Sequence, residues 1–260
     1  MKNLFQLAAL SLAAAALCLP ALAQKSSTGG HPKTSVIAEA KAPASGQQGA
    51  AKANNGNLES VLSLMDKTAA NFKSVETEFA WDQYQTVVDE HDLQSGMMYF
   101  RRNGPDVEMA ASISKPDQKY VLFSDGKVRV YQPKIDQVTE YAAGKNKADF
   151  ESFLVLGFGG RGHDLQKSFD VKYAGAENVN GINTHKLELT PKSAKLKNNF
   201  QLITLWIDRD RGVSVQQKFQ EPSGDYRLAK YNNIKVNDKL PADAFKLKTT
   251  GKTRVVQPNG

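Results

Sequence analysis

The chain has almost no sulfur chemistry to draw on. Cys18 is the only cysteine in 260 residues, and it lies inside an apolar N-terminal stretch. A chain that loses this stretch has no disulfide, no thiolate nucleophile and no cysteine-based metal site, so its stability has to come from an ordinary core. Histidine is nearly as scarce. His31, His91, His163 and His185 stand far apart, with no H-x-x-x-H or H-x-H spacing. G-x-S-x-G, a P-loop and a paired-carboxylate motif are all missing. The glycines at 157, 159, 160 and 162 lack the strand–helix setting of a dinucleotide site. The expectation is a binding protein rather than an enzyme, with no catalytic residue, no cofactor and no metal. A hydrolase assembled from distant residues stays open as a weaker alternative.

Only one long hydrophobic run is present, and it opens the chain. Met1-Lys2-Asn3 forms a short basic start, residues 4–20 are almost wholly apolar, and Ala21-Leu22-Ala23 is a small-residue cleavage site. This three-part pattern predicts a secretory signal peptide over residues 1–23, cut after Ala23. A membrane anchor is the competing reading, but the run is short of the roughly 20 residues a span needs and ends in that cleavage site. Leu17 precedes Cys18, where lipidation would need a small residue, so the exported chain is expected to carry no lipid anchor. Residues 24–56 contain little that is large and apolar beyond Val36 and Ile37, and read as a disordered tether. Residues 57–260 are then one domain. Removing Lys2 from the net charge of +7 leaves +6. That suits an acidic partner or an anionic membrane surface, and equally suits mere solubility. Export and the lack of a clustered basic-aromatic motif argue against nucleic acid as a partner.

The period of the apolar residues changes once. Leu58, Val61, Leu62, Met65, Ala69 and Phe72 recur at helical spacing, with Asn57 as candidate N-cap and Glu59, Ser63, Asp66, Lys67 and Lys73 on the polar side. From Val75 onward the period is two. Eleven segments read as strands: 75–82, 93–102, 107–113, 119–124, 127–131, 137–141, 169–173, 183–190, 200–208, 214–220 and 226–236. Asp125-Gly126 is a primed-turn hairpin signal, and Asn180-Gly181, Arg211-Gly212 and Ser223-Gly224 mark further turns. The prediction is a mainly β (α+β) domain, an antiparallel meander of about 10–11 strands in a sandwich or barrel. Residues 149–158 (DFESFLVLGF) interrupt the alternation and read as a short helix or loop packed on the sheet, with the glycine run behind it allowing movement.

The order of several pieces resembles one family. Gly96 to Arg102, Val121 to Gly126, Val128 to Tyr131, Pro133, Asp136 to Thr139, Leu187 to Lys192 and Leu240 to Leu247 together look like the LolA family of periplasmic outer-membrane lipoprotein carriers. The resemblance spans about Leu58 to Leu247. It implies an open antiparallel half-barrel with a helical lid over a hydrophobic cavity for acyl chains. It also implies a monomer in the periplasm that takes acylated lipoprotein or lipid cargo from an inner-membrane release complex to an outer-membrane acceptor. An arginine at the end of the second strand holds the lid shut in that family, and Arg102 matches it. Family members often place proline directly after that arginine, whereas here Asn103 and Gly104 precede Pro105.

Met98 and Phe100 share the face of Arg102 and are expected to line the cavity, together with Phe79, Trp81, Met109 and Leu122. Phe153, Leu154 and Leu156 are candidate lid contacts, for which plain core packing is an equal reading. A different class of function stays open on the same fold: an envelope-stress sensor for which a lipid or misfolded lipoprotein is the signal.

Overall fold

Where the sequence alternates apolar and polar residues, the backbone is extended and paired. The computed structural model describes residues 45–103, 106–142 and 156–258. Helix α1 (Ser45–Asn71) leads into strands β1 (Ser74–Gln85), β2 (Glu90–Asn103), β3 (Asp106–Lys115), β4 (Lys119–Ser124) and β5 (Lys127–Gln132). A 3-10 turn (Pro133–Ile135) precedes β6 (Gln137–Ala142). After it come α2 (Gly162–Ser168), β7 (Phe169–Val179), β8 (Ile182–Pro191), the one-turn α3 (Ala194–Lys197), β9 (Leu202–Asp208), β10 (Ser214–Gln220), β11 (Tyr226–Val236) and β12 (Arg254–Val256).

The strands form one twelve-stranded sheet in the order β12-β6-β5-β4-β3-β2-β1-β11-β10-β9-β8-β7. It is an open half-barrel with edges at β12 and β7. All neighbours are antiparallel except the β12–β6 pair. The single large connection brings β11 back beside β1, joining the two halves of the chain at Phe79↔Tyr231 and Trp81↔Ala229. At Asp125-Gly126 and Asn180-Gly181 both residues have positive φ, the backbone that two-residue primed hairpins need.

Two expectations change. The strand missed by sequence is β12, because three residues at a sheet edge carry no readable alternation. The helix starts at Ser45, so Asn57 is inside it rather than capping it, and residues 45–56 of the expected tether are helical. The Ala, Gln and Lys in that stretch favour helix intrinsically without supplying an apolar stripe, so periodicity alone cannot find it.

Register places most of the apolar residues on one inner face. Val75, Phe79, Met98, Phe100, Met109, Ile113, Val121, Phe123, Val128 and Val130 form one buried cluster with Phe158 and Tyr231. Leu187, Leu189, Ile203, Leu205 and Ile207 form a second, capped by Val61, Leu62 and Met65 of α1. The helical stripe thus lies on the β7–β9 half. Asn237 fixes its end: its Oδ1 accepts from Lys73 N (2.7 Å) and Ser74 N (3.2 Å), and its Nδ2 donates to Asn71 O (2.9 Å). On the outer face, residues 241–248 run back across β2–β4, with the Arg101 guanidinium 4.2 Å from the centre of the Phe245 ring.

Leu205 is fully buried beneath α1. Leu205→Ala is expected to lower unfolding free energy by about 2–5 kcal/mol, because the rigid sheet around it cannot collapse into the space. A guanidinium unfolding midpoint left unchanged would contradict this packing.

Candidate functional site: a strapped apolar wall

Strands β1–β3 build a continuous apolar wall. Met98 and Phe100 face inward from β2, opposite Ala111 and Met109 of β3, and Val75 of β1 pairs with Phe100 from the other side. Phe79 and Met109 are buried in the same cluster, and Trp81 packs against it half-buried. Of the residues the sequence points to, Phe79, Trp81, Met98, Phe100 and Met109 are therefore brought together on one surface. Leu122 is not. It pairs with Ala110 and Arg129, one residue out of phase with Phe123, and lies on the outer face against the C-terminal segment. Strand β4 is apolar on both faces because both are covered, so its sequence carries no phase. Leu156 is buried in the neighbouring cluster with the α1 residues. Phe153 and Leu154 lie outside the described residues.

A short strap crosses the wall. Phe158 is 1% exposed, stacks on Phe100 at 5.3 Å between ring centres, and meets Tyr231 edge-on at 4.7 Å. Gly157 and Gly159 flank it with φ of +81° and +75°, which an L side chain adopts only under strain. A Cβ at Gly159 would also sit 2.4 Å from the Phe72 ring, so the strap fits only because these positions are bare.

Three strap carbonyls are tied to the sheet. Leu156 O accepts from the Gln217 side-chain amide, Gly157 O from Ser214 N at 2.8 Å, and Gly159 O from Arg102 Nη2 at 3.0 Å. Arg102 is itself held by its backbone N–H, which donates to Lys73 O at 2.8 Å. Gln217 is oriented in turn by the Tyr231 hydroxyl, which donates to its Oε1 at 3.1 Å. Burial holds the Tyr231 phenol far above its ordinary pKa, so it remains a donor.

The strap is thus a conditional cover. Releasing it breaks these three bonds, each with a net value of about 1 kcal/mol, or somewhat more where Arg102 donates. It also uncovers Phe158 and the wall beneath, and each fully buried phenylalanine stabilises by roughly 1.5–3 kcal/mol.

Gln217 and Tyr231 carry no readable sequence signal, since a glutamine on a strand reads as solvent-facing. A register shift between Ser214 and Gln216 turns Gln217 inward.

Just beyond the strap, α2 is pinned to α1. His163 Nδ1 lies 2.6 Å from Asp66 Oδ2 and its Nε2 lies 3.2 Å from Glu59 Oε1, while Arg161 stands 3.8 Å from Asp66. The hydrogen bonds from Asp66 and then Glu59 push the His163 pKa up. For Asp66, burial pushes the carboxyl up, and the His163 bonds outweigh it, so its pKa falls. The raised His163 value means this contact contributes fully below the ordinary histidine pKa of about 6.5 and is lost as pH rises through the folded value. The stability gap between wild type and His163→Gln, read from denaturant midpoints, is therefore expected to be largest below about pH 6.5 and to shrink as the pH is raised above it. A gap that stays constant would show that the ionised histidine adds nothing.

The sequence matches the family model described as outer membrane lipoprotein carrier protein LolA over residues 62–248. No curated protein matches it. Among solved structures, MucB of Pseudomonas aeruginosa aligns with a TM-score of 0.50 at 14% identity, covering 77% of this chain and 66% of MucB. An uncharacterized conserved protein from Thermus thermophilus aligns with a TM-score of 0.50 at 11% identity, covering 78% and 99% of the two chains. The Mycobacterium tuberculosis lipoprotein LppX is similar at a TM-score of 0.48 and 13% identity, covering 72% and 99%. At these identities the likeness is one of fold. With the family model matched across both halves of the open sheet and the strapped wall between them, the chain belongs to the LolA family.

Proposed function

We propose that this protein is a periplasmic carrier that binds the acyl chains of lipoproteins or lipids on its inner wall and delivers them toward the outer membrane. The observation that carries this reading is the Arg102–Gly159 hydrogen bond, which closes an aromatic plug over an apolar surface. A wall with Met98, Met109, Phe79 and Phe100 suits cargo of varied chain shape, because the thioether side chains adapt. Binding is non-covalent and needs no cofactor. Residues 1–23 act as the export signal, cut after Ala23, and the protein works as an unanchored monomer. An inner-membrane release complex loads it and an outer-membrane acceptor empties it. The sensor alternative has the MucB likeness on its side, which is a likeness of fold.

Arg102→Leu tests the closure. Losing a hydrogen bond from a charged donor costs about 1.5–3 kcal/mol, so the closed state is expected to weaken by roughly ten- to a hundredfold. The measurement is the dissociation rate of a fluorescent acylated peptide from the purified mature protein. Release at least tenfold faster than wild type supports the gate, and release at the wild-type rate removes it. Native mass spectrometry of protein isolated from the envelope tests carriage itself, through a co-purifying acylated mass.

A further inference from the structure

Along β2 the inner face changes character. At the strap end it presents Phe100 and Met98. At the far end it presents Gln94, and β4 answers with Lys119, the register partner of Ile113. Both polar residues are almost wholly enclosed, Gln94 at 5% and Lys119 at 6% exposure. They border a cavity of about 530 Å³ between the start of β2, the β3–β4 turn and the 3-10 turn, with Asp92, Asp117 and Lys134 on its rim. Ile113 belongs both to this cavity and to the buried apolar cluster, so the polar chamber adjoins the end of the apolar wall.

A buried lysine is costly, and a leucine would cover Ile113 equally well. The aliphatic stem of Lys119 does cover apolar surface, but its ammonium is carried into the chamber. Burial lowers its pKa, while Asp92 and Asp117 push it back up. Gln94 Nε2 donates to Asp92 Oδ2 at 2.9 Å, which fixes that carboxylate beside the lysine. Lys134 stands 3.8 Å from Asp117 at the rim. The chamber thus presents cations (Lys119 and Lys134) and carboxylates (Glu90, Asp92 and Asp117) together, with His91 at its edge, next to an apolar floor. A purely anionic group would meet both aspartates, and a purely cationic one would meet Lys119. A group carrying both charges satisfies each wall.

We propose that this chamber is a headgroup site for a zwitterionic amphiphile, an aminophospholipid whose phosphate faces Lys119, whose amine faces Asp92 and Asp117, and whose chains run along the wall toward the strap. Its volume falls within the roughly 300–1,000 Å³ of small-molecule sites. The inference rests on the acyl-carrier reading and adds selectivity for the head.

The test compares three ligands with identical chains on the mature protein, by native mass spectrometry and competition: phosphatidylethanolamine, phosphatidylglycerol and diacylglycerol. Wild type is expected to prefer phosphatidylethanolamine over phosphatidylglycerol by about tenfold. Asp117→Asn should bring that ratio to near parity, and Lys119→Met should weaken both phospholipids relative to diacylglycerol. Asp117 is largely exposed on a turn, so its variant keeps the test valid if the Lys119 variant unfolds. Equal binding of both phospholipids by wild type, or a preference that survives Asp117→Asn, overturns the headgroup site and leaves the carrier reading standing. Failure of wild type to bind any of the three overturns both.

Discussion

An open sheet with one apolar face must have that face covered, and most of this molecule follows from that constraint. Twelve strands in a single layer bury nothing by pairing alone, because hydrogen-bonded neighbours leave their side chains pointing to the two faces. The β7–β9 half is covered by Val61, Leu62 and Met65, and the chain supplies that cover permanently. The β1–β5 half is covered differently. Phe158 lies on Phe100 and Tyr231, on a strap held by a few hydrogen bonds from the sheet.

The two halves differ in how firmly their cover is held. The helix joins β1 through Asn71, Lys73 and Asn237, and meets the β9–β10 turn through Thr68, whose hydroxyl donates to Arg211 O at 2.9 Å. Moving it would dismantle the second cluster. The strap's ties are few, and each is made by a side chain or a single peptide group at the margin of the wall. Glycines at 157 and 159 give the strap its close fit. Beside it, His163 couples the following helix to Asp66 and Glu59, so this contact responds to protonation of the imidazole.

The outer face shows the same rule. Tyr131 and Val138 are buried there, and the C-terminal segment lies across β2–β4 with Phe245 under Arg101. This is why Leu122, which reads as an inner residue by its apolar neighbours, belongs to the other side. Covering both faces erases the alternation on which phase depends.

The period of two along β1–β11 and the turn dipeptides were sufficient to determine an antiparallel, mainly β domain, the positions of eleven strands (with β7 cut six residues short) and the inward set Phe79, Trp81, Met98, Phe100 and Met109. The reason is local: alternation fixes which residues of one strand share a face. Alternation does not say what covers that face. The position of Gly159 under Arg102 was decided only when the strap crossed the wall, and the inward turn of Gln217 when β10 shifted register against β9. The outward Leu122 was decided when the C-terminal segment covered the second face of β4, because a strand covered on both faces carries no phase of its own. The strap and the C-terminal cover join residues far apart in the chain, and no local pattern encodes them.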